Sequence, residues 1–141
     1  MTIDQLTDRT LAAHFPSTFE ALDALVETTT AFMDRVTTDE EFNYQVVLIA
    51  SELATNAIEH GNANDSSKMV KYRVEDEGHK IAITVQDEGE GFDPDAIANP
   101  LAQDNLLLDG GRGLFLIEAM ADGMHYEDQG RRVIAYLNKP A

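Results

Sequence analysis

Four residues within one short run have the makings of a reactive site. In Ser51 to Asn62, SELATNAIEHGN, a carboxylate (Glu52) precedes an amide (Asn56) by four positions, and Glu59 and His60 follow. On a helix turning ~100° per residue, Val46, Ala50, Leu53, Ala54 and Ala57 share one apolar face, and the four polar residues border it. Glu52 and Asn56 then lie one turn apart on adjoining surface. A carboxylate beside an amide at the rim of an apolar face suits a divalent cation and a polar ligand. Asn supplies a neutral carbonyl oxygen, a fair ligand for Mg²⁺. The helix is expected to end at His60-Gly61-Asn62, since Gly usually stands just past a C-terminus. The negative pole at that end also favours a cation. Taken alone, E-x-x-x-N is a common spacing, and an amphipathic helix with a polar edge is the simpler reading.

Two glycine-rich segments add to it. Alternation along Lys80 to Asp87 places Asp87 on the face of Ile81, Ile83 and Val85. A carboxylate at the margin of a core needs donors close by. A ligand amine supplies one, and a backbone turn does so equally well. In DEGEGF, Gly89 and Gly91 permit a tight turn and a close backbone approach to something bound. Further on, Asp109-Gly-Gly-Arg-Gly opens a helix carrying Leu114, Leu116, Ile117, Met120 and Ala121. A glycine-rich turn into a helix N-terminus is a ready anion site. Arg112 adds a fork of donors suited to phosphate. The plainer alternative is a hinge before a core helix. There is no G-x-x-x-x-G-K-[ST], so this is not a P-loop. Nor is GGRG preceded by the strand that a Rossmann unit requires.

The elements that would position these residues follow from periodicity. Leu11 to Phe15 reads as an edge strand closed by Pro16. Ser17 or Thr18 caps a first helix, with Leu22, Leu25, Val26, Phe32 and Met33 at helical spacing to about Val36. Thr38 is the expected cap of a second helix, with Glu41 completing a capping box, and this helix runs to about His60. Asn62 to Ser67 is a turn-rich connection. Met69 to Glu75 and Lys80 to Asp87 alternate and form a hairpin about Glu77-Gly78. Residues 94–110 read as a long, lid-like connection. Gly123 to Glu127 and Arg131 to Leu137 form a last hairpin, with Gln129-Gly130 at its turn.

Composition sets the bounds. The chain has 141 residues, 43% of them hydrophobic, which is enough for one domain with a real core. Its 10 basic and 26 acidic residues give a net charge of −16. Such a surface repels nucleic acid and anionic membranes, and favours basic protein partners or simply solubility. The chain has no cysteine, which excludes disulfides and fits a cytosolic protein. No signal peptide and no membrane-spanning run is expected.

The ordered set points further than its parts. ELATNAIEHGN resembles the N box of the GHKL ATP-binding superfamily, DEGEGF its first glycine box and GGRGLFLI its second. The likeness covers roughly Phe15 to Leu137. Within the superfamily the chain is most similar to the bacterial anti-sigma-factor serine/threonine protein kinases, through His14-Phe-Pro-Ser-Thr, NAIEHGN and GRGLFLI. This resemblance implies an α/β two-layer sandwich, a mixed and mostly antiparallel sheet with helices on one face; periodicity alone supports only α+β. It implies ATP and Mg²⁺ as ligands. Glu52 would be the general base and Asn56 the Mg²⁺ ligand. Asp87 would accept from the adenine amine, with Gly91 letting the base approach and Gly89 counted among the nucleotide-binding residues. Arg112 would contact phosphate, with Gly111, Gly113 and Leu114 at the helix start beside it. His60 is expected to cap the helix end rather than touch nucleotide. The implied activity is phosphorylation of a STAS-type anti-sigma-factor antagonist and sequestration of a sigma factor, by a cytoplasmic protein that is often a homodimer.

Other readings remain. An ATP-responsive binding switch without phosphotransfer is the main alternative, and the presence of Glu52 weighs against it. A histidine-kinase catalytic domain usually follows a dimerising hairpin with its phospho-accepting histidine; His14 lies in an expected strand and is a poor acceptor. An inactive relative fits badly with a complete motif set. Glu88 and Glu90 depart from a neutral glycine loop, and would weaken ATP binding unless they face solvent or assist Mg²⁺.

Overall fold

The computed structural model describes residues 1–90 and 117–140. Six strands form one sheet: β1 (Thr2–Leu6), β2 (Thr10–Pro16), β3 (Met69–Asp76), β4 (Lys80–Gln86), β5 (Gly123–Glu127) and β6 (Arg132–Asn138). Their order is β1-β2-β3-β4-β6-β5, and every pairing among the described residues is antiparallel. Two helices, α1 (Glu20–Val36) and α2 (Glu40–Asn56), cover one face. The result is the expected α/β two-layer sandwich.

Alternation decides which face is covered. Leu11, Ala13 and Phe15 of β2, Val70, Tyr72 and Val74 of β3, and Ile81, Ile83 and Val85 of β4 are buried. They meet Leu25, Phe32 and Met33 of α1 and Val46, Ile49, Ala50 and Leu53 of α2 in one core. The expected β3–β4 hairpin is present, with Gly78 at φ +97° in its turn. That left-handed backbone is why Gly stands there. The last hairpin is present as well.

Four features differ from expectation. The Leu11–Phe15 strand is internal, because β1 pairs along its outer side and is itself the edge. All five β1 residues are exposed, so no hydrophobic alternation marks the strand. The cap of α2 is Asp39, not Thr38; its carboxylate accepts from the Phe42 N–H at 2.9 Å. Ser17 does not cap α1: its hydroxyl donates to the Lys68 carbonyl at 2.7 Å and accepts from Asn62 at 2.8 Å. After Asn56 the helix widens into a π-turn, Ala57–Gly61, closed by the Asn62 N–H on the Ala57 carbonyl at 2.8 Å. No described helix is long and apolar enough to cross a membrane.

Asn62 ties these pieces together. It is fully buried. Its Nδ2 donates to the Ser17 hydroxyl and to the Met69 carbonyl at 3.1 Å, and its Oδ1 accepts from the Glu88 N–H at 2.8 Å. The start of α1, the start of β3 and the segment after β4 thus share one amide. Asn62→Ala strands these partners in the interior and should lower stability by about 3 kcal/mol. Urea unfolding measures the loss.

Candidate functional site

The helix with the polar edge ends directly against the segment that leaves β4. Gly61 lies on the Asp87 side chain so closely that a Cβ there would collide with the carboxylate. A Cβ on Gly89 would collide with the Gly61 carbonyl. Neither glycine has positive φ, so close approach is what excludes a side chain at both. Helix end, carboxylate and glycine turn form one packed unit.

Asp87 is half-buried just past the end of β4, at the margin of the core as alternation predicted. Its Oδ1 accepts from the Gly89 N–H at 2.8 Å. Burial raises its pKa above the ordinary 3.8, against the Gly89 hydrogen bond and the nearby Arg131, which act to lower it. A desolvated carboxylate with one oxygen held by the turn has acceptor capacity left for a ligand donor.

Glu52 and Asn56 lie one turn apart on α2, both partly buried. The Asn56 Nδ2 is buried and has no hydrogen-bond partner. A buried N–H without an acceptor is costly to a fold, and an acceptor oxygen from a ligand would complete it, while the carbonyl oxygen of the same amide stays available to a cation. A single neutral oxygen donor fits Mg²⁺, which keeps several waters and takes most remaining ligands from phosphates. Among the described residues no cluster of three His, Asp or Glu is placed to hold a metal.

The other expectations divide. His60 is exposed and faces Glu59, Nε2 to Oε2 at 3.8 Å, and the C-cap of the π-turn is Asn62. Glu88 turns away from Asp87 and accepts from the Met69 N–H at 2.5 Å, and Glu90 is exposed. Gly91, Gly111, Arg112, Gly113, Leu114 and the lid-like segment 94–110 lie outside the described residues. Ile117, the first described residue of the last helix, is fully buried as its apolar pattern predicted. Periodicity passed over Asn62 and Arg131. The only signal for either was a polar residue beside a glycine box or a turn, which is too common to single out.

Gly61→Ala should cost about 1–3 kcal/mol of stability through overpacking, because the new methyl must displace the Asp87 carboxylate. The same displacement should weaken any ligand that Asp87 holds. Unfolding and ligand titration on one sample check both.

Comparison with known proteins agrees with this geometry. The histidine kinase-like ATPase domain matches residues 15–137. The serine-protein kinase RsbW of Staphylococcus epidermidis is 33% identical over 102 residues, 65% of this chain and 64% of that protein. RsbW of Bacillus subtilis is 29% identical over 100 residues, 64% of this chain and 62% of that protein. The anti-sigma F factor of Anoxybacillus flavithermus is 41% identical over 49 residues, 35% and 34% of the two chains. The aligned part thus spans just under two thirds of the two RsbW proteins. With residues 15–137 under one domain profile, and that profile's fold in its sheet and helices, the chain belongs to the histidine kinase-like ATPase family, the GHKL superfamily.

Proposed function

We propose that this chain is an ATP-dependent serine/threonine protein kinase that acts as an anti-sigma factor. The observation that carries the reading is the packing of the α2 end on the Asp87 turn through Gly61 and Gly89. It joins a base-and-amide pair to a desolvated acceptor, the two halves that phosphoryl transfer from ATP needs.

In this reading Asp87 accepts from the adenine amine, and the Gly89 turn leaves room for the base. Asn56 offers its carbonyl oxygen to Mg²⁺, which when bound neutralises phosphate charge. Gly91 continues the adenine pocket, and Gly111, Arg112, Gly113 and Leu114 supply phosphate contacts. Glu52 takes the proton from a substrate hydroxyl. The freed oxygen bonds to the γ-phosphorus as its bond to the β-bridging oxygen breaks, and ADP leaves with that electron pair. Such a reaction asks the protein for positioning and charge more than covalent chemistry.

The proposed substrate is a serine or threonine on a STAS-type antagonist, and the sequestered partner is a sigma factor. The names of the relatives support this direction, and the net charge of −16 suits a basic partner surface. We extend the proposal to a cytoplasmic homodimer of single-domain chains. The test is phosphate transfer from γ-labelled ATP to a STAS-domain protein, with wild type beside the Glu52 variant discussed below. Transfer to serine or threonine supports the kinase reading; nucleotide binding without transfer to any such protein defeats it.

A further inference from the structure

The β5–β6 turn carries a residue that none of the motifs contains. The Arg131 Nε donates to the Gly89 carbonyl at 2.7 Å, and its Nη2 donates to the Glu90 carbonyl at 3.0 Å. Its Nη1 turns the other way, to the Asp128 carbonyl at 3.2 Å and to Asp128 Oδ1 and Gln129 Oε1 at 3.4 Å each. The backbone carbonyl of Arg131 accepts from the Asp87 N–H at 2.9 Å. One residue therefore grips the turn on both sides of the Asp87 carboxylate.

The shape of its own turn supports this placement. Asp128 and Gln129 are consecutive non-glycine residues at φ 50° and 55°. A turn with two left-handed residues in a row ordinarily takes Asn or Gly, so Asp followed by Gln is an unfavourable choice there that surrounding contacts must hold. Here the guanidinium fills that role, bonding the Asp128 carbonyl and both side chains. A surface ion pair would account for the contact with Asp128 alone. It does not account for two donors spent on main-chain carbonyls 42 and 41 positions away in the chain. Only a planar fork reaches both sets of acceptors at once; an ammonium on a flexible stem does not.

We propose that Arg131 is a positioning residue for base recognition: its fork fixes the Gly89–Glu90 turn so that Asp87 meets the exocyclic amine of adenine, and thereby sets the preference for adenine. This rests on the ATP-binding reading above. A site built to pair with a substrate N–H rejects analogues without it only while its own groups are held in place.

The test compares Mg·ADP with Mg·IDP, whose base lacks that amine, by calorimetry on wild type, Arg131→Met and Arg131→Lys. Amide hydrogen exchange at residues 87–90 is measured on the nucleotide-free proteins. Arg131→Met should lose roughly tenfold or more in ADP affinity with IDP affinity little changed, since small misplacements at a site are amplified in this way. Exchange at Asp87 and Gly89 should rise. Arg131→Lys keeps the stem and the charge, serves where the Met variant does not fold, and should restore little of the preference. Wild-type discrimination in Arg131→Met, an equal loss for both nucleotides, or full rescue by Lys overturns the positioning role. A wild type that binds neither nucleotide overturns the ATP reading itself and takes this role with it.

Discussion

Asp87→Asn is expected to erase nucleotide-dependent stabilisation while leaving the protein folded. At a hundredfold excess over Kd, Mg·ATP or Mg·ADP should raise wild-type stability by ~2.7 kcal/mol, and the variant should show almost none of it. The substitution is nearly isosteric. Asn can keep the hydrogen bond from Gly89 through its own carbonyl oxygen, so the turn survives. Its amide nitrogen then stands where the carboxylate faced the base, and donor meets donor. Because burial raises the Asp87 pKa, its ionised form costs folding stability at neutral pH. The unliganded variant should therefore melt no lower than wild type. The sign also sets a pH dependence. The cost disappears as pH falls through the raised folded pKa towards 3.8, so the Asp87 contribution favours the folded state on acidification. Nucleotide affinity moves the opposite way, since a protonated Asp87 has lost its charge and half its acceptor role. Affinity should begin to fall at a higher pH than an unperturbed aspartate would give, and the Asn variant should lack that inflection. Thermal melts with and without nucleotide across pH read both effects. A wild type unmoved by millimolar nucleotide would leave the fold without its proposed ligand.

Glu52→Gln should separate transfer from binding. Removing a general base costs about 10²–10⁴-fold in rate, whereas a neutral isostere on the same helix face leaves the pocket's shape intact. Glu52 is partly buried on α2, and among the described residues it has no hydrogen-bond or ion-pair partner to lose. Phosphate transfer should collapse, nucleotide Kd should stay within about threefold, and unfolding should change by no more than ~0.5 kcal/mol. The same variant tests the ATP-responsive switch. If partner capture and release follow nucleotide in full without Glu52, the chain regulates by binding alone. Nucleotide titration beside a transfer assay gives the answer on one preparation.

How much of this could be read before any fold was in hand depends on the range of the interaction. The β3–β4 hairpin and the inward set Ile81, Ile83 and Val85 are written in local alternation, and so is Asp87 at the end of that row. The helix with Glu52 and Asn56 is legible from its apolar stripe. β1 was missed because an edge strand exposed along all five residues leaves no hydrophobic trace. Ser17 does not cap α1 because it has a better use: its hydroxyl joins Lys68 and Asn62, 51 and 45 positions away. Asn62 and Arg131 act through such distant contacts, which no periodicity encodes. Gly61 was assigned the common role of ending a helix, yet its function here is to leave room for a carboxylate 26 positions further on. Gly91 and the Gly111–Leu114 segment lie outside the described residues, and their roles rest on the motif.

The π-turn between Ala57 and Gly61 acts on the site as a change of phase. In an α-helix, residues five apart point ~140° away from each other. A turn closed from residue i to i+5 brings such residues into line instead. Asn56 and Gly61 are five apart, and Gly61 is where Asp87 rests. The one surplus residue in that turn thus brings Gly61, and with it the Asp87 carboxylate that rests there, back towards the side of the helix axis that carries Asn56. Wound as an ordinary α-helix, the same residues would leave Glu52, Asn56 and Asp87 all present, and would turn Gly61 ~140° away from Asn56.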